Sequence, residues 1–146
     1  MSAFDGFERT ILNLLLAGDD PTLAALRDQF KAADVISREF TGVGFFSRIA
    51  VPDYVERLSG HKNCELSDVV AHLGGLKHEA GFVLFVRDGV LKTFEAFTYG
   101  EEPWPDEVRL TDTYYVHHEP ADSPRILRCA VRDMDQVKTA QLYLKD

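Results

Sequence analysis

The sequence predicts an α+β fold, in which an N-terminal helical hairpin packs on a mainly antiparallel sheet of five or six strands. Three observations predict it. Apolar side chains recur at helical spacing over residues 2–33, and the spacing changes to two from Val35 onward. The dipeptide Asp88-Gly89, typical of a two-residue hairpin turn, separates two β-rich runs. We expect one domain over residues 1–146, with the sheet at 35–131 and an uncertain tail at 132–146.

Two amphipathic helices account for the first 33 residues. Gly18 is a typical helix stop, and Asp20 followed by Pro21 is a typical start for a second helix. Their apolar stripes would cover one face of the sheet. The stripes comprise Phe4, Phe7, Ile11, Leu14 and Leu15 in the first helix, and Leu23, Leu26 and Phe30 in the second.

The strands follow from period-two patterns bounded by glycine and proline. The glycines of Gly42-Val43-Gly44 would turn the first pair of strands into a hairpin, and residues 117–124 would form a loop. We expect a helical segment from Asp133. The expected strands outside the central hairpin are Val35 to Thr41, Phe45 to Val51, Cys64 to Leu73, Val108 to Val116, and Ile126 to Val131.

The hairpin around Asp88-Gly89 organises the sheet. A two-residue turn with uninterrupted pairing puts Phe82 opposite Glu95, on a face that also carries Leu91 and Phe97. Both faces of this hairpin are largely apolar. We therefore expect it to be central in the sheet, with both of its faces at least partly covered.

Glu95 is anomalous in that register, because a buried carboxylate is costly unless it is paired or neutral. One alternative is a functional carboxylate with a raised pKa, which with Tyr114 would line a small-molecule or catalytic pocket between helices and sheet. The other is a bulge that changes the register, or an ion-pair partner. The candidate partners are Arg38, Arg48 and Lys92.

Composition narrows the class of function. The 146 residues carry a net charge of −8, which argues against nucleic acid and anionic membranes as partners and suits attraction of a basic protein. No signal peptide or membrane-spanning apolar stretch is present, so we expect a cytoplasmic protein. The two isolated cysteines, Cys64 and Cys129, are expected to be reduced, although one disulfide is possible.

No motif identifies an enzyme. The spacing of the histidines at 72, 78, 117 and 118 lacks the local ligand pairs of zinc sites, so we expect neither a metal nor a cofactor. Cys64 or Cys129 with a histidine is the one candidate nucleophile pair, and no nucleophile motif surrounds either. The question of catalysis stays open, and the sequence favours a protein without it.

The exit of the hairpin combines aromatic and acidic residues. Such a rim is typical of a protein interface, where aromatic side chains anchor and carboxylates attract a basic partner. The alternative is that Trp104 folds back to cap the sheet while the acids face solvent. The candidate partner-binding residues are Tyr99, Glu101, Glu102, Trp104, Asp106 and Glu107.

Four stretches carry a family resemblance: Gly81-Phe82, Asp88-Gly89, Glu95, and Phe97-Thr98-Tyr99 through Trp104-Pro105. In these the chain resembles small uncharacterised bacterial α+β proteins and is similar to toxin-neutralising immunity proteins. The resemblance implies a cytosolic protein that occludes its partner. Our leading hypothesis is therefore an acidic protein-binding module, monomeric or homodimeric; the alternatives are the Glu95 pocket and a dimer that pairs sheet edges.

Overall fold

The computed structural model describes residues 2–118 and 126–143 and has an α+β fold with an open antiparallel sheet. The helices are α1 (Gly6–Leu15), α2 (Pro21–Ala32) and α3 (Met134–Val137). The strands are β1 (Asp34–Phe40), β2 (Gly44–Ala50), β3 (Cys64–Leu66), β4 (Val69–Leu73), β5 (Ala80–Arg87), β6 (Val90–Thr98), β7 (Leu110–His118) and β8 (Ile126–Cys129).

Capping residues determine where the first two helices begin. Asp5 caps α1, since its carboxylate accepts from the Glu8 backbone N–H (2.8 Å) while Glu8 accepts from the Asp5 N–H (3.0 Å). The helix therefore begins four residues later than predicted, and Ser2 instead forms a β-bridge with Val35. Asp20 caps α2 at the predicted position.

The strand order is β1-β2-β6-β5-β4-β7-β8, and β3 also pairs with β5. The described residues thus contain eight strands, rather than five or six. The predicted strand Cys64 to Leu73 is divided because Asp68 leaves the ladder: its carbonyl accepts from Val116 N–H, and its carboxylate binds the Arg132 guanidinium at 2.7 and 2.8 Å.

The predicted turn at residues 88 and 89 is confirmed. Asp88 and Gly89 both have positive φ, 54° and 79°, as a type I′ turn requires. A Cβ at residue 89 would lie 2.7 Å from the Leu58 carbonyl oxygen, so a glycine is needed there for space as well.

The uninterrupted pairing predicted for this hairpin is wrong. The register shifts between Phe85 and Val86, which leaves Lys92 unpaired in a β-bulge. Beyond the bulge Glu95 pairs with Val83, not Phe82, so it lies half-buried on the face turned away from the helices. The bulge, one of the alternatives considered for Glu95, is therefore present.

The helices cover one face of the sheet. The Phe7 ring of α1 lies 5.7 Å from that of Phe82, and the buried core continues along this face. On the opposite face, Val83, Phe85 and Phe97 are half-buried, which agrees with the expectation that both faces are at least partly covered. The fully buried side chains include Ile11, Leu12, Leu15, Leu23, Leu26, Leu84 and Phe94.

The C-terminal segment packs on the helical layer. After α3, a π-helical turn at Lys138–Leu142 buries Leu142, and the Tyr143 hydroxyl donates to Asp20 at 3.0 Å. The predicted loop at 117–124 is wrong for its first two residues, since β7 continues to His118. The rest of that prediction lies at residues 119–125, outside the described part of the chain. None of the helices in the described ranges is long and apolar enough to cross a bilayer.

Candidate functional site

Two depressions are lined in part by the segment Tyr99–Val108, which follows β6. We call the first the aromatic cleft; it has a volume of about 430 Å³ and is lined by Asp5, Phe7, Arg38, Phe40, Gly42, Gly44, Phe45 and Trp104 to Asp106, with Val108. We call the second the basic patch; it has a volume of about 380 Å³ and is lined by His72, Lys77, His78, Glu79, Tyr99, Tyr114 and Arg128.

Trp104 forms one wall of the aromatic cleft. Its ring centroid lies 6.0 Å from that of Phe7 and 5.4 Å from that of Phe45, both edge-on, and its backbone N–H donates to the Gly42 carbonyl at 2.8 Å. These contacts leave Trp104 half-buried. Trp104 therefore both packs on the sheet edge and presents part of its ring to the cleft.

The position of the cleft wall depends on a close approach of two strands. Gly44 in β2 pairs with Phe97 in β6, and a Cβ at residue 44 would lie 1.9 Å from the Ala96 carbonyl oxygen. No side chain fits at that distance. Glycine at position 44 therefore holds Phe45 and the β1–β2 turn against β6.

Beside the cleft, Glu8 is completely buried. It accepts from Arg38 Nη2 (2.5 Å) and Nε (3.3 Å) and from Ser47 Oγ (2.5 Å). Burial by itself would raise the pKa of Glu8, but the hydrogen bonds from Arg38 and Ser47 outweigh it and hold the pKa below its ordinary value. The same contact with Glu8 raises the pKa of Arg38. The one cation that lines the cleft is thus already neutralised.

Asp5 and Asp106 carry the remaining charge of the cleft. Both are exposed, and neither forms an ion pair within the described ranges. Carboxylates beside the faces and edges of aromatic rings favour a cationic group. The cleft is therefore suited to an ammonium or guanidinium group.

The structure divides the predicted interface residues. Trp104 and Asp106 line the aromatic cleft, Tyr99 lines the basic patch, and Glu101 and Glu107 are exposed outside both.

The sixth of these residues, Glu102, has an anchoring role. It accepts from the backbone N–H groups of Lys77 (2.9 Å) and His78 (2.6 Å) and contacts His78 Nδ1 at 3.1 Å. These contacts, led by the Lys77 N–H, lower the pKa of Glu102. Glu102 therefore attaches the Tyr99–Val108 segment to the loop before β5.

An ion pair lies at the centre of the basic patch. Arg128 donates to both Glu79 oxygens, from Nη2 (2.5 Å) and from Nε (3.2 Å), and this bond lowers the pKa of Glu79. His72 Nε2 lies 3.7 Å from the same carboxylate. The Tyr114 ring contacts both the His72 ring and the Arg128 guanidinium, each at 5.7 Å.

Glu95 and Tyr114 do not share a pocket. Glu95 is on β6 and Tyr114 on β7, with β5 and β4 between them, which separates the strands by about 14 Å at the usual spacing. Glu95 lies on the face opposite the helices, so it is outside any space between helices and sheet. Burial raises its pKa, and no described residue forms an ion pair with it.

Sequence reasoning missed most of the residues that line the two depressions. Phe7, Arg38 and Phe45 are far from Trp104 along the chain, and only the fold brings them together. One signal was present: Glu8 lies within the apolar stripe of α1, where a charged residue needs a partner.

The two cysteines are free thiols. Cys64 is buried, and burial raises its pKa to about 11, which disfavours the nucleophilic thiolate. Cys129 Sγ lies 3.6 Å from His117 Nδ1. No group of three or more potential metal ligands occurs within residues 2–118 and 126–143.

Comparisons with protein-family models, curated proteins and solved structures found no match to this chain. The resemblance to immunity proteins therefore stays a prediction.

Proposed function

We propose that the protein is an acidic protein-binding module whose aromatic cleft receives a lysine or arginine side chain of a basic partner. The observation that carries the proposal is the position of Trp104, whose ring packs edge-on with Phe7 and Phe45 in a cleft that Asp5 and Asp106 also line. Aromatic rings and carboxylates together attract a cation through ring quadrupoles and net charge, and the cation–π part is worth about 0.5–2 kcal/mol.

The neutralisation of Arg38 is necessary for this function. A free guanidinium in the cleft would repel an incoming cation. The buried carboxylate of Glu8 holds Arg38 by two hydrogen bonds, so Arg38 contributes its apolar stem to the cleft more than its charge.

Features around the cleft favour a protein as the ligand. The Phe40 side chain at the rim is 67% exposed, which extends the apolar surface beyond what a single small molecule would cover. Exposed Glu101 and Glu107 flank the cleft in sequence, and the whole chain carries a net charge of −8. Such a field increases the association rate of a basic protein.

The resemblance to immunity proteins supports a toxin as that partner. In this function the protein binds the basic surface of the toxin in the cytoplasm and blocks it, and needs no catalytic group of its own. A toxin gene next to the gene for this protein would be expected.

Charge reversal tests the proposal. The variant Glu101→Lys, Asp106→Lys, Glu107→Lys changes the rim but leaves Glu102, which anchors the backbone. The matched control is Asp28→Lys, Asp53→Lys, Glu56→Lys, which makes the same change in net charge with three exposed acids elsewhere. The test compares cross-linked capture from cells of the source organism, followed by the association rate of the captured partner as a function of salt.

The wild type and the control should capture the same basic protein. The rim variant should lose it, with an association rate at least about tenfold lower and a weaker dependence on salt. Equal capture by both variants, or a captured partner without a basic surface, would contradict the proposal.

Trp104 provides a direct readout of the cleft, because it is the single tryptophan in the chain. Titration with N-acetyl-arginine amide should change its fluorescence and saturate, whereas the uncharged N-acetyl-norleucine amide should have a much smaller effect. An identical response to both compounds would show that the cleft does not select a cation.

A further inference from the structure

We propose that the basic patch is a second binding site, which takes a small oxyanion, with a phosphate monoester as its preferred ligand. This site is separate from the aromatic cleft and does not depend on the function proposed for it. The patch is lined entirely by polar, charged or tyrosine side chains, and four of the seven are basic. That composition contrasts with the net charge of −8 of the whole chain.

The patch has more free hydrogen-bond donors than acceptors. Within the described ranges, no residue accepts a hydrogen bond from Lys77 Nζ, Arg128 Nη1, or the hydroxyls of Tyr99 and Tyr114. Four donors thus remain available for a ligand in one depression. A site of this kind is complementary to an acceptor-rich, negatively charged group.

The acids of the patch are occupied. Both Glu79 oxygens accept from Arg128, and Glu102 accepts from two backbone N–H groups and contacts His78. The ion pair with Arg128 offsets the negative charge of Glu79, and the donors around Glu102 occupy both of its oxygens. These bonds also fix the Arg128 guanidinium and the His78 ring in place before a ligand binds, which reduces the entropy cost of binding.

The two histidines make the site sensitive to pH. His78 Nδ1 faces Glu102 and His72 Nε2 faces Glu79, so protonation adds a donor at the other nitrogen of each ring. It also adds positive charge, so oxyanion affinity should increase as the pH falls. Asp112 is the cross-strand partner of His72, and Arg109 lies beside Gly74. The other charged and titratable groups around the two rings are Lys77, Glu79, Tyr99, Glu102, Tyr114 and Arg128.

Geometry favours phosphate over carboxylate. The six donors present after protonation of both rings exceed the about four acceptor positions of a carboxylate. Three terminal oxygens of a phosphate monoester can accept from all sides of the depression. The Tyr99 ring, 44% exposed at the border of the patch, can contact an organic group attached to the phosphate.

Sulfate is the first probe, because it stays doubly charged over the pH range tested and so reports protonation of the protein alone. In ¹H–¹⁵N correlation spectra, sulfate at pH 6 should produce saturable shifts of the Lys77, His78 and Tyr99 amides, and the affinity should fall at least about threefold at pH 8. The Trp104 indole signal in the aromatic cleft is the internal control and should not move.

A lysine pair provides the matched variants. Lys77→Gln should weaken sulfate binding at least about threefold, since it removes a charged donor from the patch. Lys62→Gln removes an exposed lysine elsewhere and should leave the affinity unchanged. Both substitutions are at exposed positions, so both variants should fold, and the dispersion of the spectra confirms it.

Three further ligands distinguish the source of the oxyanion. Phenyl phosphate should bind more tightly than inorganic phosphate, and acetate more weakly than either. Equal affinities for phenyl phosphate and inorganic phosphate would contradict the preference for a monoester. Shifts that do not saturate, or that are the same in Lys77→Gln and wild type, would overturn the site. Trp104 serves only as the control in these experiments, so their outcomes are independent of the test of the cleft.

Discussion

The aromatic cleft and the basic patch share the Tyr99–Val108 segment but have opposite charge. In the cleft the cation, Arg38, is neutralised by buried Glu8, and the two other acids, Asp5 and Asp106, form no ion pair with a described residue. In the patch the central acid, Glu79, is neutralised by Arg128, and donors remain free. The charge that a site presents is therefore the charge left after internal pairing, and cannot be obtained by counting the residues that line it.

The two sites also differ in how firmly they are built. The Glu8 side chain is 0% exposed and that of its partner Arg38 is 26% exposed. In the patch, the Arg128 side chain is 54% exposed. The cleft depends on the packed core, and the patch depends on surface side chains. Substitutions at Gly44, Glu8 and Glu79 test this difference, beginning with the largest expected effect, and Glu95 provides a comparison outside both sites.

Gly44→Ala should have the largest effect. The new Cβ would collide with the Ala96 backbone, which cannot yield as a flexible side chain would, so we expect a loss of at least about 3 kcal/mol in the free energy of unfolding. Urea denaturation measures it. Gly6→Ala is the control: its Cβ meets nothing within 4 Å, and its effect should stay within about 1 kcal/mol. Equal effects for the two would show that β2 and β6 are farther apart.

Matched neutralisation of the two acids should have the next largest effect. Glu8→Gln leaves Arg38 without its charged partner and should cost about 2–4 kcal/mol at pH 7. Glu79→Gln breaks a more exposed pair and should cost less than about 1 kcal/mol. Urea denaturation of both variants compares the two, and similar costs would contradict the difference in burial.

The pH dependence of these two variants has a definite sign. The folded state lowers the pKa of both Glu8 and Glu79. Each carboxylate therefore stabilises the fold above its unfolded pKa of about 4.3, and this contribution disappears as the pH falls through the folded pKa. The difference between wild type and Glu8→Gln should shrink on acidification below about pH 4.

Glu95→Gln should have the smallest effect, and in the opposite direction. Burial raises the pKa of Glu95, so its ionised form opposes folding. The folded protein therefore loses stability as the pH rises through the folded pKa of Glu95. The substitution should therefore stabilise the protein by less than about 0.5 kcal/mol at pH 7, with no difference well below that pKa. Thermal unfolding at two pH values measures this. Destabilisation at pH 7 would show that Glu95 has an ion-pair partner.

Local sequence patterns predicted the fold class, the type I′ turn and the cap of α2, because each depends on residues close together in the chain. A bulge was one of the alternatives considered for Glu95, but its position at Lys92 was not predictable, since nothing local distinguishes this residue from a paired one. It moved Glu95 and Phe97 to the other face of the sheet. A shift of one residue in register thus changed the interpretation of the most unusual carboxylate.

The candidate sites were predicted in part for the same reason. Trp104 and Asp106 were identified from their neighbours in sequence, but the assignment of Tyr99 and Glu102 to the same surface did not anticipate the second depression. Arg38 and Arg128 come from strands far away in the chain. Their pairing with Glu8 and Glu79, which determines the charge of each site, follows from tertiary structure alone.

The first strand, β1, is an edge strand of the sheet, and its pairing is irregular. Its register shifts between Val35 and Ser37, and Ser2 occupies part of its outer side through the bridge to Val35. Unpaired backbone groups on a long, flat border strand are a template for aggregation into extended β-structure, and interruptions of this kind oppose it. Ile36 and Phe40 are exposed on this irregular edge strand. Because the strand is a poor template for pairing with another chain, these apolar side chains can remain at the surface without promoting aggregation.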